Sequence, residues 1–282
     1  MGEITMKSAV LLDGAVGTSL WELADQAGIA RDPVWKYNIE HPELVLELHR
    51  QMIEAGAEII LANTFGANGP MVERCSSYTV EEVVKKGVEL ARKAAEGTGV
   101  KVAVSCGPLS ELLEPFGDLE EEEAEAIFRQ QIGSGIEAGA ELVAVQTFID
   151  LELMKIAAKT AKSYGVPVFC TLSFEKVGKT MMGQSVEQVC RELEAIGVDA
   201  VGMNCSLGPE LALPVIEEFS GQTKLPLIFK PNAGMPGQTT DPEIFAEIVA
   251  SASGYVSYIG GCCNCNASYI KALKKYIRGT AE

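Results

Sequence analysis

The sequence lacks several features that would point to common classes of protein. Among its 282 residues are only two histidines, His41 and His49, so general acid–base chemistry has few candidates. Both fall in or beside the helix predicted after the first strand, where we expect solvated positions. Acidic residues outnumber basic ones by 39 to 23, and the net charge of −16 disfavours nucleic acid and anionic membranes as partners. No apolar run approaches the ~20 residues that a membrane-spanning helix needs.

Signals for nucleotide binding and secretion are also missing. No G-x-G-x-x-G follows the first apolar run and no G-x-x-x-x-G-K-[ST] occurs, so no nucleotide site is predicted. Residues 1–7 lack the basic and then apolar order of a signal peptide. The acidic composition fits a soluble cytoplasmic protein or one that docks on a basic partner. In a chain without such a leader, we expect the eight cysteines to be reduced thiols or ligands rather than disulfides.

The sequence is rich in apolar runs that alternate with helical stretches. Eight runs of mainly Val, Ile, Leu and Ala lack a two-residue period, as expected for strands buried on both faces. They cover residues 10–13, 58–63, 100–106, 142–147, 166–173, 200–204, 225–230 and 256–259. Several follow a glycine that would end the preceding helix, namely Gly56, Gly139 and Gly197. We therefore predict an α/β fold, one (β/α)8 TIM barrel forming a single domain over residues 1–282, with a doubly wound sheet as the alternative.

Active residues of such a barrel lie at the C-terminal ends of its strands. The sixth run is followed by Cys205, and the eighth leads into Gly260-Gly261-Cys262-Cys263-Asn264-Cys265. Because these strand ends face one mouth, we expect Cys205, Cys262 and Cys263 to meet there. Neighbouring thiolates repel one another unless a cation neutralises them, and Zn²⁺ is the usual cation for thiolate ligands. The alternative is that these cysteines are small buried residues at a strand end.

A zinc site with three protein ligands has the open fourth position of a catalytic centre. An electron-rich site of this kind suits a fourth sulfur, so we predict a substrate thiol that loses its proton and attacks as a thiolate. Two other interpretations stay open. One is a non-catalytic zinc- or thiol-binding module, such as a metal store or redox sensor, and the other is a barrel hydrolase or lyase with incidental cysteines. Cys75, Cys170 and Cys190 are predicted to be packing residues.

The acidic residue Asp13 and the acidic run Glu120–Glu123 have different predicted roles. Asp13 is the one carboxylate at a predicted strand end in a polar turn, and it either hydrogen-bonds the turn that follows or contacts substrate. Glu120–Glu123 opens a predicted helix, where negative charge suits the helix dipole. We therefore expect this acidic run to cap a helix rather than to form a site.

Several motifs resemble the homocysteine S-methyltransferase family over roughly residues 11–273. They are Asp13-Gly14-Ala15-Val16-Gly17-Thr18, Ala62-Asn63-Thr64-Phe65-Gly66-Ala67, Gly202-Met203-Asn204-Cys205-Ser206-Leu207-Gly208-Pro209, Pro231-Asn232-Ala233-Gly234-Met235-Pro236 and Gly260-Gly261-Cys262-Cys263. The chain looks most like the N-terminal homocysteine-binding module of cobalamin-dependent methionine synthases. The resemblance implies a (β/α)8 barrel, zinc on Cys205, Cys262 and Cys263, a small-molecule thiol such as homocysteine as fourth ligand, and methyl transfer to its sulfur, a step of methionine biosynthesis.

The resemblance also implies a substrate pocket. In the family, the turn after the first strand and the Asn-Thr-Phe after the second shape an amino-acid pocket, which the Asn of Pro-Asn-Ala-Gly also lines. The predicted substrate-binding residues are accordingly Asp13, Gly14, Thr18, Asn63, Thr64, Phe65, Gln146 and Asn232.

Two departures from the family pattern concern the pocket. The family usually has Glu-Thr-Phe after the fourth strand, with the Glu on the substrate ammonium, where this chain has Gln146-Thr147-Phe148. Losing that charge-assisted hydrogen bond costs about 1.5–3 kcal/mol, so either homocysteine binds poorly or the acceptor lacks an amino group. The family usually continues Gly-Gly-Cys-Cys with Gly-Thr, where this chain has Asn264-Cys265. Cys265 is a spare ligand, a thiol that closes the site without substrate, or a neighbour.

The methyl donor is expected to come from outside the chain. The sequence has no segment for a folate barrel or a cobalamin domain and no D-x-H-x-x-G. Candidate donors are a methyl-corrinoid protein, S-methylmethionine, a betaine and S-adenosylmethionine. Similarity to the corrinoid-using branch favours a separate methyl-corrinoid protein, with cobalamin present only through that partner. Alternatively, the chain is a piece of a longer methionine synthase.

Overall fold

The structure is a computed structural model that describes residues 9–175, 177–235 and 237–279. Its main sheet contains eight parallel strands: β1 (Val10–Leu11), β2 (Ile59–Leu61), β3 (Lys101–Cys106), β4 (Leu142–Phe148), β5 (Val168–Leu172), β6 (Ala200–Asn204), β7 (Leu227–Lys230) and β10 (Tyr258–Ile259). A short hairpin, β8 (Gly234–Met235) and β9 (Gln238–Thr239), follows β7. Residues 1–7, on which the signal-peptide prediction rests, and Pro236 of the fourth motif lie outside the described residues.

The order of strands in the sheet is β1-β10-β7-β6-β5-β4-β3-β2, and its two edges meet at a short seam. Leu12 and Ile59 form a parallel bridge there. The backbone N–H of Asp13 donates to the Ile59 carbonyl at 3.1 Å, and that of Glu58 to the Leu11 carbonyl at 2.7 Å. The sheet is therefore a nearly closed barrel, which confirms the predicted (β/α)8 fold and excludes the doubly wound alternative.

Helices follow the strands around the outside of the barrel. They are α1 (Val16–Gln26), α2 (Tyr37–Glu40), α3 (Pro42–Ala55), α4 (Gly69–Cys75), α5 (Val80–Ala95), α6 (Glu121–Glu137), α7 (Leu151–Lys162), α8 (Val186–Ile196), α9 (Pro209–Gln222), α10 (Pro242–Ala250) and α11 (Ala267–Arg278). Gly56, Gly139 and Gly197 have φ values of 113°, 94° and 80°, which confirms the predicted left-handed helix ends. The acidic run opens α6, as predicted, with Glu120 at the N-cap.

Apolar side chains pack inside the barrel, between the sheet and its helices, and in a third, smaller cluster around Trp35, Val72 and Val84. The inner cluster is small and fills the barrel below its mouth: Leu12, Ile59, Leu61, Ala103, Leu142, Ala144, Phe169, Ala200 and Ile228. The much larger outer cluster joins the opposite faces of the strands to the helices. Because both faces of each strand are covered, the strands read as continuous apolar runs in the sequence.

The prediction that the histidines are solvated is wrong for His49. Its side chain is fully buried in α3, and neither ring nitrogen has a hydrogen-bond partner among the described residues. Burial lowers the pKa of His49 to about 4, so the ring is neutral at pH 7. The error has a physical reason: position 49 lies on the inward face of an amphipathic helix, where Val45, Leu48 and Met52 are also buried.

Within the described ranges, we find no helix of the length and apolar character needed to cross a membrane. The cytoplasmic location and the single domain over residues 1–282 stay predictions.

Candidate functional site

Three cysteine sulfurs meet at the mouth formed by the C-terminal ends of the strands. Cys205 follows β6, Cys262 and Cys263 follow β10, and the three sulfur atoms all lie within 4.8 Å of one another. The Sγ atoms of Cys205 and Cys263 are 3.5 Å apart. Two sulfurs bound to one tetrahedral zinc at ~2.3 Å would be about 3.7 Å apart, so this spacing fits a shared ion. The predicted meeting of the sulfurs is observed, whereas metal binding stays a prediction.

The backbone around the sulfurs adopts an unusual conformation. Thr147, Cys205, Ser206 and Asn264 have φ values of 66°, 63°, 58° and 65°, and all four lie at the mouth. A left-handed conformation costs a non-glycine residue about 1–3 kcal/mol and persists where its surroundings hold it. The Cys205 N–H, for example, donates to the Lys230 carbonyl at 3.1 Å. The strained residues therefore place the loops that carry the sulfurs.

Three polar side chains fix the loops behind the sulfurs. The Asn204 side-chain amide donates to Thr147 Oγ1 at 2.7 Å and to the Cys262 sulfur at 3.5 Å. Asn232 Oδ1 accepts the Cys263 N–H at 3.0 Å. Thr18 Oγ1 accepts the Asn264 N–H at 3.0 Å. These contacts orient the sulfurs without occupying the space in front of them.

Hydrogen bonds among the three thiols shift their pKa values in opposite directions. Hydrogen bonds from Cys262 and Cys263 lower the pKa of the Cys205 thiol to about 3. The same contact with Cys205 raises the pKa of Cys262 well above its ordinary value and that of Cys263 to about 11. In this geometry the Cys262 and Cys263 thiols direct their protons toward the Cys205 sulfur. A divalent ion would replace those two protons and convert all three sulfurs to thiolates.

A cavity of about 380 Å³ opens in front of the sulfurs. Its walls combine the turn and helix start at residues 14–18, the aromatic rings of Trp21, Trp35 and Phe65, and the polar side chains of Asn63, Ser105, Gln146 and Thr147. Cys205, Cys262, Cys263 and Lys230 complete the lining on the barrel side. The volume suits a small molecule.

Some predicted substrate-binding residues line the cavity and others lie behind it. Those in the lining are Gly14, Thr18, Asn63, Phe65 and Gln146. Asp13, Thr64 and Asn232 are outside the lining. Thr64 instead donates its hydroxyl to the Ser105 carbonyl at 2.8 Å, which joins the ends of β2 and β3. Their role in substrate binding stays a prediction, and their observed contacts are with the protein itself.

Asp13 forms a buried ion pair rather than a contact within its own turn. Its Oδ1 accepts from Lys230 Nζ at 2.8 Å, and its Oδ2 accepts the Leu61 N–H at 2.7 Å. Burial raises the pKa of the Asp13 carboxyl, while the Lys230 ammonium and the Leu61 N–H act in the opposite direction. Both carboxylate oxygens are occupied, so Asp13 positions Lys230 at the bottom of the cavity.

Lys230, Ser105 and Asn204 are site residues that the sequence prediction missed. Lys230 carried a usable signal, since it is a charged residue at the end of an otherwise apolar strand and is 4% exposed. Such a lysine is almost never fully buried unless it is paired. Ser105 and Asn204 also occupy strand ends, but nothing in the sequence pairs them with Gln146 and Cys262 across the barrel.

Cys265 is a neighbour of the cluster and not part of it. Its side chain is buried and contacts the Pro231 carbonyl at 3.7 Å. A Cβ atom on Gly261 would lie 2.7 Å from the Cys265 sulfur, and one on Gly14 would lie 2.0 Å from the Cys265 carbonyl oxygen. Cys265 therefore packs under both glycine turns, and its role as a spare ligand is not supported. Cys75, Cys170 and Cys190 lie in α4, β5 and α8, as predicted for packing residues.

Comparisons with known proteins match this architecture. The family model described as homocysteine S-methyltransferase matches residues 10–277. Methionine synthases of Mycobacterium leprae and Mycobacterium tuberculosis are 27% and 26% identical over 93% and 96% of this chain. The chain spans about a quarter of the length of these curated relatives.

Solved structures of the homocysteine methyltransferase MmuM from Escherichia coli are similar over nearly their whole length. The oxidized form has a TM-score of 0.81 and 25% identity, covering 94% of this chain and 95% of its own. The metallated form has the same TM-score and identity, covering 95% of this chain and 96% of its own. Together with the family model, these likenesses show that the chain belongs to the homocysteine S-methyltransferase family, whose members are methyltransferases.

Proposed function

We propose that the protein is a zinc-dependent thiol S-methyltransferase whose acceptor is homocysteine or a related thiol. The observation that carries this proposal is the meeting of the Cys205, Cys262 and Cys263 sulfurs in the wall of a cavity sized for a small molecule. Family membership supports methyl transfer, and the metallated form of MmuM supports a metal in such a fold.

The donor set fits Zn²⁺, because three soft sulfurs lie within 4.8 Å of one another and one side of the cluster faces the cavity. Cys205, Cys262 and Cys263 would hold the ion. When bound, Zn²⁺ would lower the pKa of an acceptor thiol so that its thiolate forms near neutral pH.

The residues of the chain supply binding and orientation. Trp21, Trp35 and Phe65 give the cavity apolar walls that exclude water from the acceptor sulfur. Gln146 and Asn63 present amides to the head group of the acceptor. In the reaction, the acceptor thiol loses its proton to solvent and its sulfur bonds to the methyl carbon. The bond from that carbon to the donor breaks, and the donor keeps the bonding electrons.

Serine variants of the three cysteines test the proposal. Cys205→Ser, Cys262→Ser and Cys263→Ser should each lose bound zinc and at least 100-fold of methyl-transfer activity, since an alcohol is a far poorer zinc ligand than a thiolate. Zinc per chain is measured by mass spectrometry and transfer by methylated product. Cys75→Ser is the matched control because Cys75 ends α4 outside the cavity.

Two results would contradict the proposal. A Cys262→Ser protein that keeps one zinc per chain and full activity would remove the metal centre from the mechanism. Zinc binding with no methylated product from any thiol and donor tested would favour the metal store or sensor.

We further propose that the methyl donor is a separate methyl-corrinoid protein that docks on the mouth. Exposed apolar side chains rise from the loops and helix starts that follow β3, β5 and β6: Leu112 (41% exposed), Phe116 (75%), Val177 (67%), Met181 (68%) and Leu211 (53%). We call these five residues the apolar rim; grouped on loops and helix starts at the end of the barrel that holds the cavity, they are typical of a surface that another protein covers. The resemblance of the sequence motifs to the corrinoid-using branch of the family supports a corrinoid as the group that carries the methyl.

Substitutions in the apolar rim distinguish a protein that delivers the methyl group from a small-molecule methyl donor. Phe116→Ser and Met181→Ser should raise the KM for a methyl-corrinoid protein severalfold and leave transfer from S-methylmethionine, a betaine or S-adenosylmethionine unchanged. Transfer is followed by the change in corrinoid absorbance. Efficient transfer from one of the small donors alone would overturn the corrinoid proposal but not the thiol methyltransferase.

A further inference from the structure

The charges around the cavity constrain which thiol can bind in it. Among the cavity-lining residues that the structure describes, there is no Asp, Glu, Arg or His. Apart from the cysteines, the charged side chain in the lining is Lys230. A buried ammonium group on a ligand needs a carboxylate or several acceptors to replace its water shell. No lining carboxylate meets that need.

The Asp13 carboxylate, which pairs with the lining residue Lys230, is buried and already hydrogen-bonded. Its side chain is 0% exposed, and its two oxygens accept from Lys230 Nζ at 2.8 Å and from the Leu61 N–H at 2.7 Å. A ligand ammonium would have to displace Lys230 to reach it and would leave that lysine unpaired in the barrel. The pair is neutral as a whole, and it is the Lys230 side chain rather than the Asp13 carboxylate that lines the cavity.

Gln146 is a polar residue of the cavity lining. Its Nε2 donates to Ser105 Oγ at 2.7 Å. With the amide turned over, Oε1 would accept from the Ser105 hydroxyl and Nε2 would face the cavity. Either way, position 146 carries no negative charge.

The other polar groups of the lining also have partners. Thr147 Oγ1 accepts from Asn204 Nδ2 at 2.7 Å. Asn63 Nδ2 donates to the Val34 carbonyl at 2.7 Å and to Asn38 Oδ1 at 2.9 Å. The cavity therefore offers an ammonium group a few neutral acceptors and a neighbouring lysine, which together disfavour it.

We propose that the acceptor is a thiol without an ammonium group, of the mercapto acid class, and that Gln146 is the residue that sets this preference. The inference rests on the proposed thiol methyltransferase function. It narrows the acceptor from homocysteine or a related thiol to one whose head group carries no positive charge. Lys230 and the Gln146 amide then favour an acidic or neutral head group over a zwitterionic one.

A pair of thiols that differ in a single group tests the inference. Homocysteine and 4-mercaptobutanoate have the same carbon chain, thiol and carboxylate, and only homocysteine has the α-amino group. Binding to the wild-type protein loaded with zinc is measured by calorimetry. Binding to the cobalt-loaded protein is measured by the sulfur-to-cobalt absorption band. We expect 4-mercaptobutanoate to bind at least tenfold more tightly.

A substitution at position 146 should reverse the preference. Gln146→Glu puts a carboxylate into the cavity with almost no change of shape, so homocysteine affinity should rise about tenfold or more and that of 4-mercaptobutanoate should fall. Gln188→Glu adds the same charge on α8, outside the cavity lining, and should change neither affinity. The wild-type comparison stands by itself if Gln146→Glu does not fold.

The outcomes separate this inference from the proposed function. If homocysteine binds more tightly than 4-mercaptobutanoate to the wild-type protein and shows the cobalt–sulfur band, the acceptor class is wrong and the methyltransferase proposal stands. If neither thiol produces the band on metal-loaded protein, the proposed function fails and the inference falls with it. An unchanged preference in a folded Gln146→Glu protein would remove Gln146 from the determinants of specificity.

Discussion

The two ends of the barrel interior follow different rules. Below the mouth, the inner cluster is made of apolar side chains on regular strands, such as Leu142, Phe169 and Ile228. At the mouth, the structure concentrates thiols, a buried lysine–carboxylate pair and left-handed non-glycine residues. Apolar burial stabilises the fold by about 25 cal/mol per Å², whereas strain and buried charge oppose it. The lower end therefore supplies stability, and the mouth uses part of it to hold reactive groups in place.

The largest effect on stability is expected from removing a large side chain at the lower end, and it tests whether stability and metal binding depend on different ends of the barrel. Phe169→Ala leaves a cavity where the ring packs against Tyr258 at a centroid distance of 4.5 Å. We expect the free energy of unfolding to fall by about 3–5 kcal/mol in urea titrations. The folded variant should still bind zinc, because the ligands lie at the opposite end. Loss of zinc from folded Phe169→Ala would mean that the two ends are not separate.

Breaking the Asp13–Lys230 pair tests the boundary between the two ends. Lys230→Met leaves the Asp13 carboxylate buried without its cation, and we expect a loss of about 3–5 kcal/mol in the free energy of unfolding. The double variant Asp13→Asn with Lys230→Met removes both charges and should recover much of that loss. If the double variant were as unstable as Lys230→Met, the loss of stability would come from altered packing rather than from the unpaired charge.

Acid titration can show whether the scaffold or the thiol cluster limits stability. In the folded protein, burial lowers the pKa of His49 to about 4, while the unfolded chain binds the proton near 6.5. Unfolding therefore takes up a proton below pH 6.5, and stability should fall by about 3 kcal/mol between pH 6.5 and pH 4. Urea titrations of metal-free protein measure this fall, and His49→Leu should flatten it. An equally steep fall in His49→Leu would assign acid sensitivity to other groups.

The smallest expected effect is that of replacing Cys265, and it tests which cysteines at the mouth bind the metal. Cys265 packs under Gly14 and Gly261 without joining the sulfur cluster. Cys265→Ala should therefore keep one zinc per chain and near-normal transfer, and it should lower the free energy of unfolding by about 1 kcal/mol. Zinc loss comparable to that of Cys262→Ser would make Cys265 a ligand after all.

Much of the fold could be predicted because local chemistry encodes it. Each of the eight apolar runs holds one barrel strand, and β4 extends one residue past its predicted end. Burial on both faces removes the two-residue period, and the left-handed glycines mark where helices end. The same local rules misplace His49, because a polar residue on the buried face of a helix looks like any other polar residue.

The candidate site was only partly predictable. Cys205, Cys262 and Cys263 could be placed at one mouth because every strand of a parallel barrel ends on the same side. The contacts of Asp13 with Lys230 and of Gln146 with Ser105 could not be predicted, because those partners are 217 and 41 positions apart in the sequence. Nothing in a one-dimensional pattern records which side chains face each other across the barrel.

By itself, the sequence determined the number and order of strands, the ends of the helices and the identity of the three sulfurs, since these follow from local burial and from the direction of parallel strands. Only the tertiary structure decided that Asp13 forms an ion pair with Lys230 and that Cys265 lies outside the sulfur cluster. It also decided that no described lining residue supplies a carboxylate to the cavity. Those properties depend on distances between residues far apart in the chain. Such distances exist only once the barrel has closed at the Leu12–Ile59 seam.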